Sequence, residues 1–171
     1  AYVQINVTNG PEEGGYAGIS GYDSGRDCHW TGAADSTWSN PDNWLDGVVG
    51  GTLDDIFIDA DAAHAPTFPD SLVVHGFYDS LAGNCNYPTL TVYGDLTALS
   101  GTKTFSNKNL TFASSVPHVL TVGGTISMTA CTFSLSGDLI KRGAGALSKS
   151  WISASYNWEW KGGVTVEEGS V

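Results

Sequence analysis

The sequence predicts an all-β chain folded as a right-handed parallel β-helix with a Trp-rich N-terminal cap, and a β-sandwich is the alternative. Three observations point there. Short runs rich in Val, Ile, Leu, Phe and Thr recur, and most alternate apolar with polar or small residues, which is the period of a half-buried strand. No window of about eleven or more residues carries a helical period. A strand–Gly–strand unit also repeats: LTVYGDLTAL, LTVGGTISM, FSLSGDLI and EWKGGVTV place Gly94, Gly123, Gly137 and Gly162 after an apolar, alternating stretch. The spacing is irregular, as in a solenoid whose coils differ in loop length. A single coil cannot bury its own apolar face, so stacking supplies the core, and Gly lets the chain turn between faces.

In order along the chain, residues 1–27 read as a short strand, YVQINV, and a loop carrying Gly14, Gly15, Gly18, Gly21 and Gly25, a density that no helix survives. Residues 28–52 form the Trp-rich cap, with Asn40-Pro41-Asp42-Asn43 as a turn between Trp38 and Trp44. Residues 53–171 hold the coils: DDIFID, SLVVHGF, TLTVYGDLTAL, KNLTFAS, HVLTVGGTISM, CTFSLSGDLI and GGVTVEEGSV. Gly143-Ala144-Gly145 is a coil corner and not a phosphate cradle, since no helix follows it.

The 171 residues suffice for one domain or an elongated array. Asp and Glu outnumber Lys and Arg 18 to 7, a net charge of −11 that repels phosphate backbones and anionic headgroups. Nucleic acid is therefore not an expected partner. No apolar run is long enough to insert in a membrane, and Ala1 is compatible with removal of a signal peptide. Cys28, Cys85 and Cys131 form no CxxC pair. Cys131 reads as a small core residue, and Cys28 with Cys85 is a candidate disulfide in an oxidising location.

DLIKRGAGALSKS followed by WKGGVTVEEGSV resembles the autotransporter-associated β-strand repeat, also called the passenger-associated transport repeat. Leu139, Lys141, Gly143, Gly145 and Leu147 match its first half; Gly162, Gly163, Thr165, Val166 and Gly169 match its second, with Val171 at the closing apolar position. Trp160 stands where Tyr is usual, Trp158 where Asn is expected, with Asn157 one place early. The connection between the halves is longer than the pattern. Trp30, Gly32, Trp38, Asn43, Trp44, Gly47 and Asp55 resemble the motif that often begins such proteins. The resemblance implies a secreted or surface-displayed bacterial protein with a right-handed β-helix, adhesive or scaffold-like, of which this chain is a fragment ending mid-pattern.

The candidate binding residues are Trp30, Trp38, Trp44, Trp158 and Trp160, whose flat rings and N–H groups suit a sugar. The competing role of the first three is to plug the open end of the first coil and shield its strand edges, and the cap is the favoured role. Asp54, Asp55, Asp59 and Asp61 offer oxygen ligands for calcium, but without an EF-hand loop or a Gly-Gly-x-Gly-x-Asp repeat. Alternation places Asp55 and Asp59 on one solvated side. His29, His64, His75 and His118 are scattered. No nucleophile elbow is present, and the seven Lys and Arg fall mostly in loops or corners. Enzymatic activity is therefore not expected. Asn6-Val7-Thr8 and Asn109-Leu110-Thr111 fit the N-glycosylation pattern, which the bacterial resemblance disfavours.

The expected function is a structural or adhesive module of a bacterial extracellular protein, a stiff scaffold that assembles by strand addition with other subunits or further repeats, without a cofactor. A carbohydrate-binding module with glycan partners and a phage tailspike or tail-fibre fragment are the alternatives.

Overall fold

A computed structural model describes residues 25–150 and 158–171, and only the backbone of Lys149, Ser150, Trp158 and Trp160. The expected YVQINV strand, Gly14, Gly15, Gly18, Gly21, Asn6 and Asn157 lie outside the described residues.

The architecture is a parallel β-helix. Its strands are β1 (Asp27–Trp30), β2 (Asp55–Ile58), β3 (Ser71–Val74), β4 (Phe77–Asp79), β5 (Cys85–Asn86), β6 (Thr89–Val92), β7 (Leu96–Ala98) and β8 (Thr102–Ser106). They continue as β9 (Leu110–Phe112), β10 (His118–Val122), β11 (Thr125–Thr129), β12 (Phe133–Leu135), β13 (Leu139–Arg142), β14 (Ala146–Ser150), β15 (Trp158–Trp160) and β16 (Val164–Val166). Three parallel sheets result: seven strands in the order β1-β2-β4-β7-β10-β13-β16, four in the order β5-β8-β11-β14, and five in the order β3-β6-β9-β12-β15. From β4 onward each coil visits the seven-, four- and five-stranded sheets in turn. The coil before it, from β2 to β3, has no strand in the four-stranded sheet.

Alternation explains why these segments settle as strands. In β10 His118, Leu120 and Val122 are buried while Val119 and Thr121 face outward; in β11 Ile126 and Met128 are buried while Thr125, Ser127 and Thr129 are not. In-register stacking turns these positions into continuous apolar rows. Along the seven-stranded sheet Cys28, Ile56, Phe77, Leu96 and Leu120 are Cα partners in succession. Along the five-stranded sheet Leu72, Leu90, Leu110 and Phe133 do the same. The register is strongly specified, because a one-residue slip would turn every buried side chain to water.

The irregular glycine spacing has a geometric cause. Gly94, Gly137 and Gly162 occupy the corner between the five- and seven-stranded sheets, whereas Gly123 lies at the next corner, between β10 and β11. That corner carries its own column. A Cβ on Gly124 would collide with Gly101 O, one on Gly145 with Gly124 O, and one on Gly169 with Gly145 O. Coil backbones approach one another there more closely than a side chain permits.

Strands β1, β5, β8 and β14 carry no separate strand expectation in the sequence. Asp27–Trp30 straddles the expected loop and cap, yet it pairs with β2 as the first strand of the seven-stranded sheet.

Candidate functional site

The Trp-rich segment is held by one buried asparagine. Asn40 caps a 3-10 turn over Pro41–Asn43, accepting from Asp42 N at 3.1 Å. Pro at the first turn fixes φ where no donor is needed. The turn aims Asn43 inward. Its Oδ1 accepts from Ala34 N at 2.9 Å and Asp35 N at 2.8 Å, and its Nδ2 donates to Asp35 Oδ1 at 2.7 Å and Thr37 O at 2.9 Å. The segment is thereby folded over the end of the coil stack.

Its three indoles are core. Trp30, Trp38 and Trp44 are 0%, 8% and 3% exposed. Trp38 stacks on Trp30 with centroids 5.7 Å apart and planes 10° apart, and Trp44 meets both edge-on, at 87° to Trp30 and 90° to Trp38. Two of the three indole N–H groups are bonded to backbone carbonyls: Trp30 Nε1 donates to His64 O at 2.8 Å and Trp44 Nε1 to Trp38 O at 2.9 Å. Trp38 continues into Phe68, Tyr87 and Phe105, an aromatic column inside the solenoid. No indole face is open to a sugar, which corrects Trp30, Trp38 and Trp44 as candidate ligand-binding residues. They close the first coil, and the antiparallel bridge between Trp30 and Trp44 covers the edge of β1. The indoles of Trp158 and Trp160 lie outside the described residues; their Cα partners on β12 are Phe133 and Leu135.

The acidic quartet does not converge. Asp54 is buried and takes Arg26 through Nη2 at 2.7 Å and the Arg26 backbone N–H at 3.0 Å, with Gly51 N at 2.9 Å. Burial alone would raise its carboxyl, but those hydrogen bonds outweigh it and hold the group below the usual carboxylate range. Asp55 faces His75 at 2.8 Å, Asp59 faces His29 at 3.0 Å, and Asp61 is exposed. Asp55 is buried, not on the solvated side that alternation suggests, because the corner beside Gly76 folds over it. Among the described residues no three His, Cys, Asp or Glu side chains come together as metal ligands.

The candidate disulfide is also corrected. Cys28 and Cys85 are not bridged: Cys28 Sγ faces Asp54 Oδ2 and Cys85 Sγ faces Asp79 Oδ2. Burial, then the neighbouring carboxylate, pushes Cys28 up to about 11 and Cys85 up to about 12. Such thiols are poor nucleophiles.

Two buried lysines escape a sequence reading that places basic residues in loops and corners. Lys103 on β8 lies 2.9 Å from Asp79 Oδ2 and donates to Leu81 O and Gly83 O at 2.9 and 3.0 Å. Tyr87 OH donates to the same carboxylate oxygen at 2.7 Å. Burial, then the Asp79 charge, holds the Tyr87 phenol protonated. Lys141 gives the LxKxGxGxL pattern a physical meaning. Its Nζ donates to Gly143 O and Gly145 O at 2.5 Å and to Glu168 O at 2.8 Å. Gly143, at φ +77°, turns the backbone so that the corner carbonyls face the ammonium, while Leu139 and Leu147 fill the core on either side. Burial lowers the Lys141 pKa and the Glu168 charge opposes that shift. The sequence signal for Lys103 is a Lys at an inward phase of an alternating run; Lys141 has that phase and also its place in the LxKxGxGxL match.

Beside the Lys103 network lies a groove of about 470 Å³ where the four-stranded sheet lacks its first-coil strand, lined by Pro66, Phe68, Asp70, Asn84, Asn86 and Lys108 among others. Lys108 and Asp70 pair across it at 2.9 Å. The groove presents no activated nucleophile and no paired carboxylates. Among the described residues no helix is long and apolar enough to cross a membrane.

Searches with family models, against curated proteins and against solved structures found no match to this chain.

Proposed function

We propose that this chain is a structural, adhesive module of a secreted or surface-displayed bacterial protein, a β-helical scaffold that associates by strand addition. The supporting observation is the apolar edge of β16. At the N-terminal end the stacked tryptophans fill the core, the Trp30–Trp44 bridge occupies the edge of β1, and Leu45 N bonds His29 O. At the other end Val164 and Val166 on β16 are in register with Leu139 and Lys141, both of them buried. Yet Val166 is 45% exposed, and among the described residues no strand pairs the far side of β16. An apolar coil end with an unpaired edge is a template for strand addition. The resemblance of residues 139–171 to the passenger-associated repeat gives the surface setting, and a net charge of −11 keeps the outer faces soluble.

Among the described residues β16 presents the strand edge to which a further coil or a second copy adds. Sedimentation over a concentration series tests this. A reversible dimer abolished by Val166→Asp, with the monomer's melting temperature kept, supports the reading. A monomer at every concentration removes it.

A further inference from the structure

We propose that the outer face of the four-stranded sheet binds ice, seating the water of a crystal surface on a lattice of hydroxyl groups. The inference is independent of the association just described and rests on a different face.

The register builds the lattice. Thr102 and Thr125 are Cα partners, Thr104 and Ser127 are partners, and so are Ser106 and Thr129. Ser148 extends the middle row beyond Ser127, and Asn86 extends it on the other side beyond Thr104. Strand geometry fixes the mesh: neighbours lie about 4.8 Å apart from coil to coil and roughly 6.6 Å apart along each strand. The intervening residues Lys103, Phe105, Ile126, Met128 and Leu147 all point into the core. From β8 to β14 the described outward face is thus hydroxyl and methyl only, repeated in two directions, with the Asn86 amide at its margin on β5.

Two properties separate this face from ordinary solvated sheet. No Asp, Glu, Lys or Arg occupies a described outward position on these strands, in a chain with 18 acidic and 7 basic residues. By contrast, the outer face of the seven-stranded sheet carries His29, Asp27, Arg142 and the ring stack His29–Phe57–Tyr78. Furthermore, among the described residues the hydroxyls of Thr102, Thr104, Thr125, Ser127 and Thr129 make no hydrogen bond to protein. Threonine is stiff at χ1, so these groups are held in place at little entropic cost.

The chemistry then selects the ligand. A hydroxyl that exchanges water for a sugar or peptide group gains little net, because one hydrogen bond replaces another, and this face has no aromatic ring to add stacking. A ligand made of water needs no such exchange, because waters already held by the hydroxyls join its lattice. Charged side chains, which keep their own hydration shells, would interrupt it.

The test uses the full chain in a nanolitre osmometer and an ice-recrystallisation assay, against serum albumin at equal mass concentration. The expected result is a gap between melting and freezing points and arrested grain growth, both lost in Thr104→Tyr and Ser127→Tyr. Thr165→Tyr, outward on β16 of the seven-stranded sheet, keeps both. Circular dichroism and melting temperature confirm folding, and Thr125→Lys replaces any variant that fails. Activity equal to albumin overturns the proposal, as does undiminished activity in the face variants or equal loss in Thr165→Tyr. Retention on microcrystalline cellulose or chitin that the face variants lose, without any freezing gap, overturns it in favour of a polysaccharide. A dimer broken by Ser127→Tyr overturns it in favour of a second copy.

Discussion

Lys103 Nζ lies 2.9 Å from Asp79 Oδ2, and both side chains are fully buried in the solenoid. Asp79 occupies a row whose neighbours are Ile58 and Ala98, so the charge sits in an otherwise apolar stack. Its stability depends on the completeness of its partners. Lys103→Met leaves a buried carboxylate without its cation, and such a loss costs about 3–5 kcal/mol. The double variant Lys103→Met with Asp79→Leu recovers most of that. Urea unfolding of the three variants measures it; equal instability of single and double variants contradicts the assignment.

The cap carries a similar load without charge. Trp38→Ala removes a ring packed between Trp30, Trp44 and Phe68, and truncations of this size cost about 3–5 kcal/mol. A melting temperature unchanged by the substitution would return the tryptophans to a surface role.

The glycine corners make opposite expectations for two positions. Gly124→Ala drives a methyl into Gly101 O and destabilises by about 1–3 kcal/mol, the usual range for overpacking. Gly83, where nothing lies within 4 Å of an added Cβ, accepts alanine with a gain of up to about 1 kcal/mol from the unfolded chain. Thermal unfolding of both distinguishes a steric column from a generic preference for glycine.

Acid sensitivity follows from the cap. The Asn43 side chain, then the Thr37 backbone N–H, holds Asp35 down to about 2. A carboxyl whose folded pKa lies below its unfolded value of about 3.9 adds stability that is present above that value and lost as pH falls toward 2. Melting temperature therefore drops between about pH 4 and pH 2, and Asp35→Asn flattens part of the drop. An unaltered profile in that variant contradicts the cap geometry.

The thiols give a chemical check. At pH 8 the native chain reacts slowly with a disulfide reagent, since Cys28 and Cys85 stay protonated and Cys131 is buried. In denaturant without reductant three thiols titrate; a bridged pair would leave one.

The coil strands were legible because burial has a period of two, and HVLTV and TISMT display it without ambiguity. Asn40-Pro41-Asp42-Asn43 announced its turn for local reasons that propensity captures. Strand β5, two residues long, has no period to read. The partners of Asp54, Asp79 and Lys141 come from other turns of the solenoid, so their burial depends on register and not on neighbours in sequence. The tryptophans suit a sugar by their chemistry and a cap by their place before the first coil, and their burial, with Trp30 opposite Ile58, agrees with the cap that the sequence favours.

Sedimentation velocity across a concentration series tests the central claim, a solenoid whose β16 edge takes up a further coil. The account predicts reversible association that disappears in Val166→Asp. A strict monomer, or association undiminished in Val166→Asp, would contradict it.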